Sequence, residues 1–288
     1  MPASAFAVAI PNPYQRRMRL GLAVCALLVA VARGASGDET EPAPAPRPLY
    51  WRVKASLGYH FSTGDYTGSE TTDIQYVPLV VTADIERWRL QGTIPYLYIS
   101  GPPGIIDGPN GPIQTTDGTS DGLGDLLLRG SYLLPVESLF AADQPLPGWL
   151  PYVEMIGLVK FPTASRSDGL GTGEFDFGIE TDVTWTVDRF SPFVGLGYRF
   201  LGSPPGTHLY DVITASAGSL YRVAEWLSAG ALLDYRQAPT PSTGQRLELV
   251  PYVSWVITPP WTLESYVSVG LANGSPDVGV GSQLGYTW

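Results

Sequence analysis

The chain has 288 residues, of which only 15% are charged and 11% aromatic, with 33 glycines, 27 prolines and a formal net charge of −10. So acidic a chain argues against nucleic acid as a partner, because phosphate backbones are held by basic side chains. A mean hydropathy of +0.05 with so few charges does not suit a water-soluble globule. It suits a barrel in which lipid-facing and lumen-facing residues alternate and cancel in the average.

Residues 1–37 read as an export signal. Arg16, Arg17 and Arg19 form a basic start, with Met18 a possible true initiator, and Leu20 to Ala32 is an apolar run too short to span a bilayer as a helix. Gly34, Ala35, Ser36 and Gly37 supply a cleavage zone. Cys25 is the sole cysteine and lies inside that run, after Val24, without the small residue a lipid anchor wants. The mature chain then has no thiol chemistry, which suits an oxidising export route. Loss of Arg16, Arg17, Arg19 and Arg33 makes it more acidic still. Residues 38–48, DETEPAPAPRP, read as an extended, disordered periplasmic tether.

From residue 49 onward the pattern changes to strands. Twelve strand runs follow, at 50–61, 72–84, 87–100, 122–134, 149–161, 173–186, 190–200, 208–221, 226–236, 245–257, 261–271 and 277–288, alternating with period two except that 72–84 and 208–221 alternate poorly. Short turns near 85–86, 187–189, 222–225 and 258–260 alternate with longer loops at 62–71, 101–121, 162–172, 201–207 and 237–244. Residues 135–148 are long where a short turn is expected, and the last loop, 272–276, is short. The expected fold is all-β: a transmembrane antiparallel β-barrel of about 12 strands over 49–288, with short periplasmic turns and longer extracellular loops.

The tryptophans carry this reading. Trp51, Trp88, Trp149, Trp185, Trp226, Trp255, Trp261 and Trp288 open the odd runs or close the even ones, which places every indole at one end of the cylinder. An indole has an apolar body and a polar N–H, so a belt at a lipid–water boundary explains the placement. Trp51 to Phe61, Trp88 to Tyr98 and Phe175 to Trp185 are each ten residues apart. A tilted strand of that length covers about 23 Å, the height of an outer-membrane apolar band. Phe175, Phe177, Ile179, Val183 and Trp185 share one face, against Glu174, Asp176, Glu180 and Asp182 on the other. The last run alternates similarly and ends on Trp288; that is the type of signal outer-membrane barrels present to the barrel-assembly machinery. Pro78, Pro95, Pro192 and Pro251 lie inside runs and Pro151 near the start of one, where bulges or near-end positions would have to absorb the missing N–H groups.

Three segments resemble a known family. Gly122-Leu-Gly-Asp-Leu-Leu-Leu128, Val159-Lys-Phe-Pro-Thr163, and Gly169-Leu-Gly-Thr-Gly173 with the acidic strand to Trp185 look like the outer-membrane family named after the MetA pathway of phenol degradation. The resemblance implies a transporter barrel passing small solutes, aromatic ones among them. It supplies no catalytic or binding residues.

Alternation places Arg52, Lys54, Arg89, Asp125, Arg129, Glu154, Lys160, Glu180, Asp182, Arg199, Asp234, Arg236, Glu248 and Glu264 toward the lumen. Two readings stay open: a solvated channel whose charges select solutes, or cross-strand ion pairs filling the bore. The loop at 101–121, made pliable by Gly101, Gly104 and Gly108, is expected to fold inward and narrow it. The expected partners are outer-membrane lipid and a small-molecule solute. Barrel enzymes need a histidine base beside a nucleophile; His60 and His208 are the only histidines and read as solvated rim residues, with Ser62 a loop serine. A lipid-active enzyme and a closed structural or adhesion barrel are the alternatives to a channel. Gly169–Gly173 lacks the Lys-Ser/Thr of a phosphate loop. Asp65, Asp107, Asp117 and Asp121 have no calcium-loop spacing, so neither cofactor nor metal is expected.

Overall fold

The computed structural model describes residues 51–66, 68, 70–140 and 147–288. The expected leader and tether lie outside the described residues, as do 141–146 of the long 135–148 connection.

Among the described residues, fifteen strands form: β1 (Trp51–Gly64), β2 (Thr72–Ile85), β3 (Trp88–Gly101), β4 (Gly104–Gly108), β5 (Gly111–Thr115), β6 (Gly118–Leu123), β7 (Leu126–Leu133), β8 (Tyr152–Phe161), β9 (Asp176–Thr184), β10 (Phe190–Leu201), β11 (Val212–Ala224), β12 (Leu227–Arg236), β13 (Arg246–Thr258), β14 (Trp261–Gly270) and β15 (Val278–Thr287). β6 and β7 both pair with β3 and form two halves of one stave, while β4 and β5 pair only with each other. The other strands pair antiparallel in chain order, and β15 returns to β1 from Lys54↔Thr287 to Thr63↔Val278. Twelve staves thus close on themselves. Closure leaves no sheet edge unpaired, as a lipid environment demands.

The alternation read from sequence sorts the two faces. On β9, Phe177 and Ile179 are exposed on the outside, while Asp176 and Glu180 are buried inside. On β15, Val278, Val280 and Leu284 face out, and Gly279, Gly281 and Gly285 face in. All eight tryptophans sit at one rim. Trp51, Trp88 and Trp261 open β1, β3 and β14; Trp149 and Trp226 precede β8 and β12; Trp255 nears the end of β13; Trp185 and Trp288 follow β9 and β15. Their rings touch rim neighbours, Trp226 lying 6.4 Å from Trp255 and Trp88 4.7 Å from Tyr132 between centroids.

Pro151, just before β8, and Pro192, third in β10, take the near-end positions expected, but no bulge absorbs the others. The register shifts among the described residues fall at Arg222/Ala224 and Val256/Thr258, away from every strand proline. Instead the ladder lapses beside three of them. Pairing of β1 with β2 skips from Leu57↔Leu79 to His60↔Tyr76, next to Pro78. Pairing of β13 with β14 skips from Leu249↔Val269 to Tyr252↔Tyr266, next to Pro251. Pro95 sits where β3 passes from β7 to β6, and its carbonyl accepts the Gly124 N–H at 2.9 Å. A proline has no N–H to give, so the partner strand yields at that point.

Two connections decide the interior. At the tryptophan rim, residues 134–140 are tied down by Leu134 N–H to Val153 O at 2.8 Å and by an ion pair between Arg87 and Glu137. At the opposite rim, the expected loop 101–121 contains a β-hairpin, β4 and β5, and then enters the barrel wall as β6. Ile105 and Ile106 pair with Gln114 and Ile113, and Pro109-Asn110 forms the turn before Gly111 at φ 133°. Proline at the first turn corner and glycine closing the turn is established turn chemistry.

Candidate functional site

The hairpin β4–β5 leaves stave β3 and reaches the inner wall of β12 and β13. Asp107 Oδ1 accepts from Arg236 Nη1 at 2.5 Å. Arg246 Nη1 donates to the carbonyls of Asp107 and Gly108, both at 3.1 Å, and Arg246 Nε pairs with Glu248 at 2.5 Å. On the other side Tyr76 OH donates to Asn110 Oδ1 at 3.1 Å, and Arg166 Nε to Gln114 Oε1 at 3.2 Å. Ile106 and Ile113 pack among Tyr66, Ile74, Tyr76, Leu97, Ile99 and Leu170. The strap is therefore held by charge on one wall and by apolar burial on the other. Burial among these groups pushes the Tyr66 phenol, in the loop beyond β1, up to about 12.

Below the strap the inner face divides into levels. Midway along the barrel, Glu180 accepts from Arg129 at 2.6 Å and Arg199 at 3.1 Å. Lys160 is buried between Asp176 at 2.7 Å and Asp125 at 3.4 Å, and donates to Thr172 at 3.2 Å. Asp125 sits at the break between β6 and β7, and its Oδ1 also accepts the Ala164 N–H at 3.0 Å. This cluster fixes the 162–175 loop rather than facing open water. Near the tryptophan rim, Asp84 accepts from Arg52 at 2.7 Å and Arg89 at 2.6 Å, and Lys54 pairs with Glu264 at 3.1 Å. These side chains are more exposed than those above. Facing the charges, Phe193, Leu220, Leu232, Val250 and Tyr252 form an apolar patch on β10 to β13, with Tyr266 beside it.

Arg52, Lys54, Arg89, Arg129, Glu154, Lys160, Glu180, Asp182, Arg199, Asp234, Arg236, Glu248 and Glu264 all lie on inner-face register positions of their strands. Most are spent on ion pairs. Glu154, Asp182 and Asp234 form no ion pair among the described residues. Three partners escaped the sequence reading: Asp84, Arg246, and Asp107, which reads as a solvated loop acid but is buried. Asp84 was recoverable, since it stands opposite Arg89 across the tight turn at Glu86-Arg87. Asp107 was not, since its partner is 129 residues away.

His60 corrects an expectation. It is a buried residue of β1, not a solvated rim histidine; its Nδ1 lies 3.0 Å from Tyr266 OH, and the rings stack at 5.6 Å. A strand that runs three residues past its expected end at Phe61 carries it inside. Ser62 is likewise in β1 and shares a hydrogen bond with Tyr66 OH at 3.0 Å, so the two do not form a base–nucleophile pair. His208 stays exposed in the loop after β10, against Tyr210.

The sequence matches no described protein-family profile and no curated protein. The structure is similar to the COG4313 outer membrane channel from Pseudomonas putida F1, with TM-score 0.61 and 13% identity over 87% of this chain and 100% of that one. Weaker likenesses are to the KdgM porin in complex with disordered oligogalacturonate (TM-score 0.46, 11% identity, 81% and 98% covered) and to the NanC porin (0.46, 11%, 81% and 97%). The chain thus has the fold of a twelve-stranded outer-membrane β-barrel.

Proposed function

We propose that the protein is an outer-membrane channel for passive passage of small solutes, hydrophobic or aromatic ones among them. The observation that carries this reading is the inner face. A barrel with charged walls and a separate hairpin strapped across one end has the parts of a gated conduit. The likeness to an outer-membrane channel supports it. The apolar patch formed by Phe193, Leu232 and Tyr252 and the resemblance to the MetA-pathway family support an aromatic cargo. The strand ending at Trp288 supports insertion by the barrel-assembly machinery, and the tryptophan rim supports lipid as the surrounding partner.

Passage requires the strap to move, since Asp107, Ile106 and Ile113 are buried across the bore. Planar-bilayer recording tests this. Wild-type protein should give small, flickering conductance, and deletion of residues 103–118, which removes β4 and β5, should raise it severalfold. Equal traces would refute the gate. Silence from both folded proteins would favour a structural barrel with a closed lumen, a reading that the buried ion pairs along the bore also support.

A further inference from the structure

One cavity in the lower lumen is built from unmatched groups of both signs. About 290 Å³ of empty space, open in part to solvent, lies between its walls. On β3 and β7, Gln91 stands directly opposite Arg129. Their exposures are 8% and 7%, yet Gln91 Nε2 and Arg129 Nη1 have no hydrogen-bond partner among the described residues. The other guanidinium nitrogen, Nη2, is engaged by Glu180 at 2.6 Å. Two buried donors therefore await an acceptor, and leaving such donors unmatched is costly.

The opposite deficit lies one strand further on. Glu154 on β8 stands directly across from Asp182 on β9. Like charges in that relation repel. Ser131 donates to Glu154, but no cation among the described residues pairs with either carboxylate. Arg89, the other guanidinium on the cavity wall, is committed to Asp84 at 2.6 Å. Asp182 is held toward the lumen because Gly195 of β10 has no side chain: a Cβ there would lie 2.5 Å from Asp182 Oδ1.

We infer that this cavity is a binding subsite for a small zwitterion of the α-amino-acid class. The solute carboxylate would accept from Arg129 Nη1 and Gln91 Nε2, and its ammonium would relieve the Glu154–Asp182 repulsion. A plain anion leaves the acid pair unmatched, and a plain amine leaves the donors unmatched. The subsite rests on the reading of the lumen as a solute path, but its occupancy can be measured without any current.

The probe is glycine, titrated calorimetrically into the full chain refolded in detergent, with acetate and methylammonium as half-ligands. Glycine should bind at least about tenfold more tightly than either half-ligand, the worth of one charge-assisted hydrogen bond. Gln91→Ala and Asp182→Asn should each weaken glycine by about the same factor. Should Asp182→Asn fail to fold, Gln91→Ala alone decides. Acetate binding as tightly as glycine, no glycine binding, or variants binding like wild type would each overturn the subsite. Conductance without glycine binding removes the subsite and leaves the channel; glycine binding without conductance keeps the subsite and removes the channel.

Discussion

Asp107 and Arg236 meet at 2.5 Å inside the barrel although 129 residues separate them in the chain. One belongs to the hairpin and the other to the wall it crosses to, so this contact holds the strap in place. Removing one member of such a buried pair costs about 3–5 kcal/mol, because the other charge is left uncompensated. Asp107→Ala should free the hairpin without unfolding the barrel, whose ladder does not include it. Single-channel recording should show longer openings and a larger mean current; unchanged open times would mean that the apolar contacts of Ile106 and Ile113 suffice.

Gly281→Ala tests the inner aromatic wall. A Cβ at that position would fall 2.4 Å from the Tyr266 ring, and the nearest atoms are all from that side chain. The ring must swing into the lumen and give up its bond to His60. Overpacking of this kind costs about 1–3 kcal/mol. The variant should unfold at lower denaturant and show a shift of the His60 imidazole signals by NMR. Stability equal to wild type would contradict the packing described.

Outside the membrane-spanning strands, Glu137 gives a pH dependence. Its own backbone N–H and the Arg87 guanidinium hold its carboxyl below the usual range, against a smaller desolvation penalty. A depressed carboxylate contributes stability that is present above the unfolded pKa and is lost as pH falls through the folded one. Between neutral pH and about 5, above the ordinary Glu value near 4.3, the amides around Leu134 should be well protected relative to their intrinsic exchange rates; in more acid solution that protection should fall. The pair is partly exposed, so salt should mimic acid weakly. A protection factor that does not change with pH would sink the assignment.

The barrel was legible because its sorting rule is local. On β9, Phe177, Ile179 and Val183 alternate with Asp176, Glu180 and Asp182, and no distant information is needed to see two faces. The tryptophans were legible for the same reason, each lying beside its own turn. The strap was half legible. Its inward path was expected, but five-residue strands punctuated by Gly108, Pro109 and Gly111 look like loop in sequence. Contacts such as Arg246 with the Asp107 carbonyl are set by which staves face each other across the bore, which alternation cannot report. His60 was misread because β1 runs on to Gly64, past the aromatic that marked its expected end.

Insertion of the rim into a bilayer is tested most directly by quenching of the tryptophan fluorescence with brominated lipids. Seven of the eight indoles are well exposed, Trp185 less so, and all sit at one end of the cylinder. Protein refolded into vesicles should be quenched strongly by bromine near the headgroups and weakly by bromine at the acyl ends. Quenching that peaks at the bilayer centre, or none at any depth, would contradict a transmembrane barrel with its tryptophan rim at the lipid–water boundary.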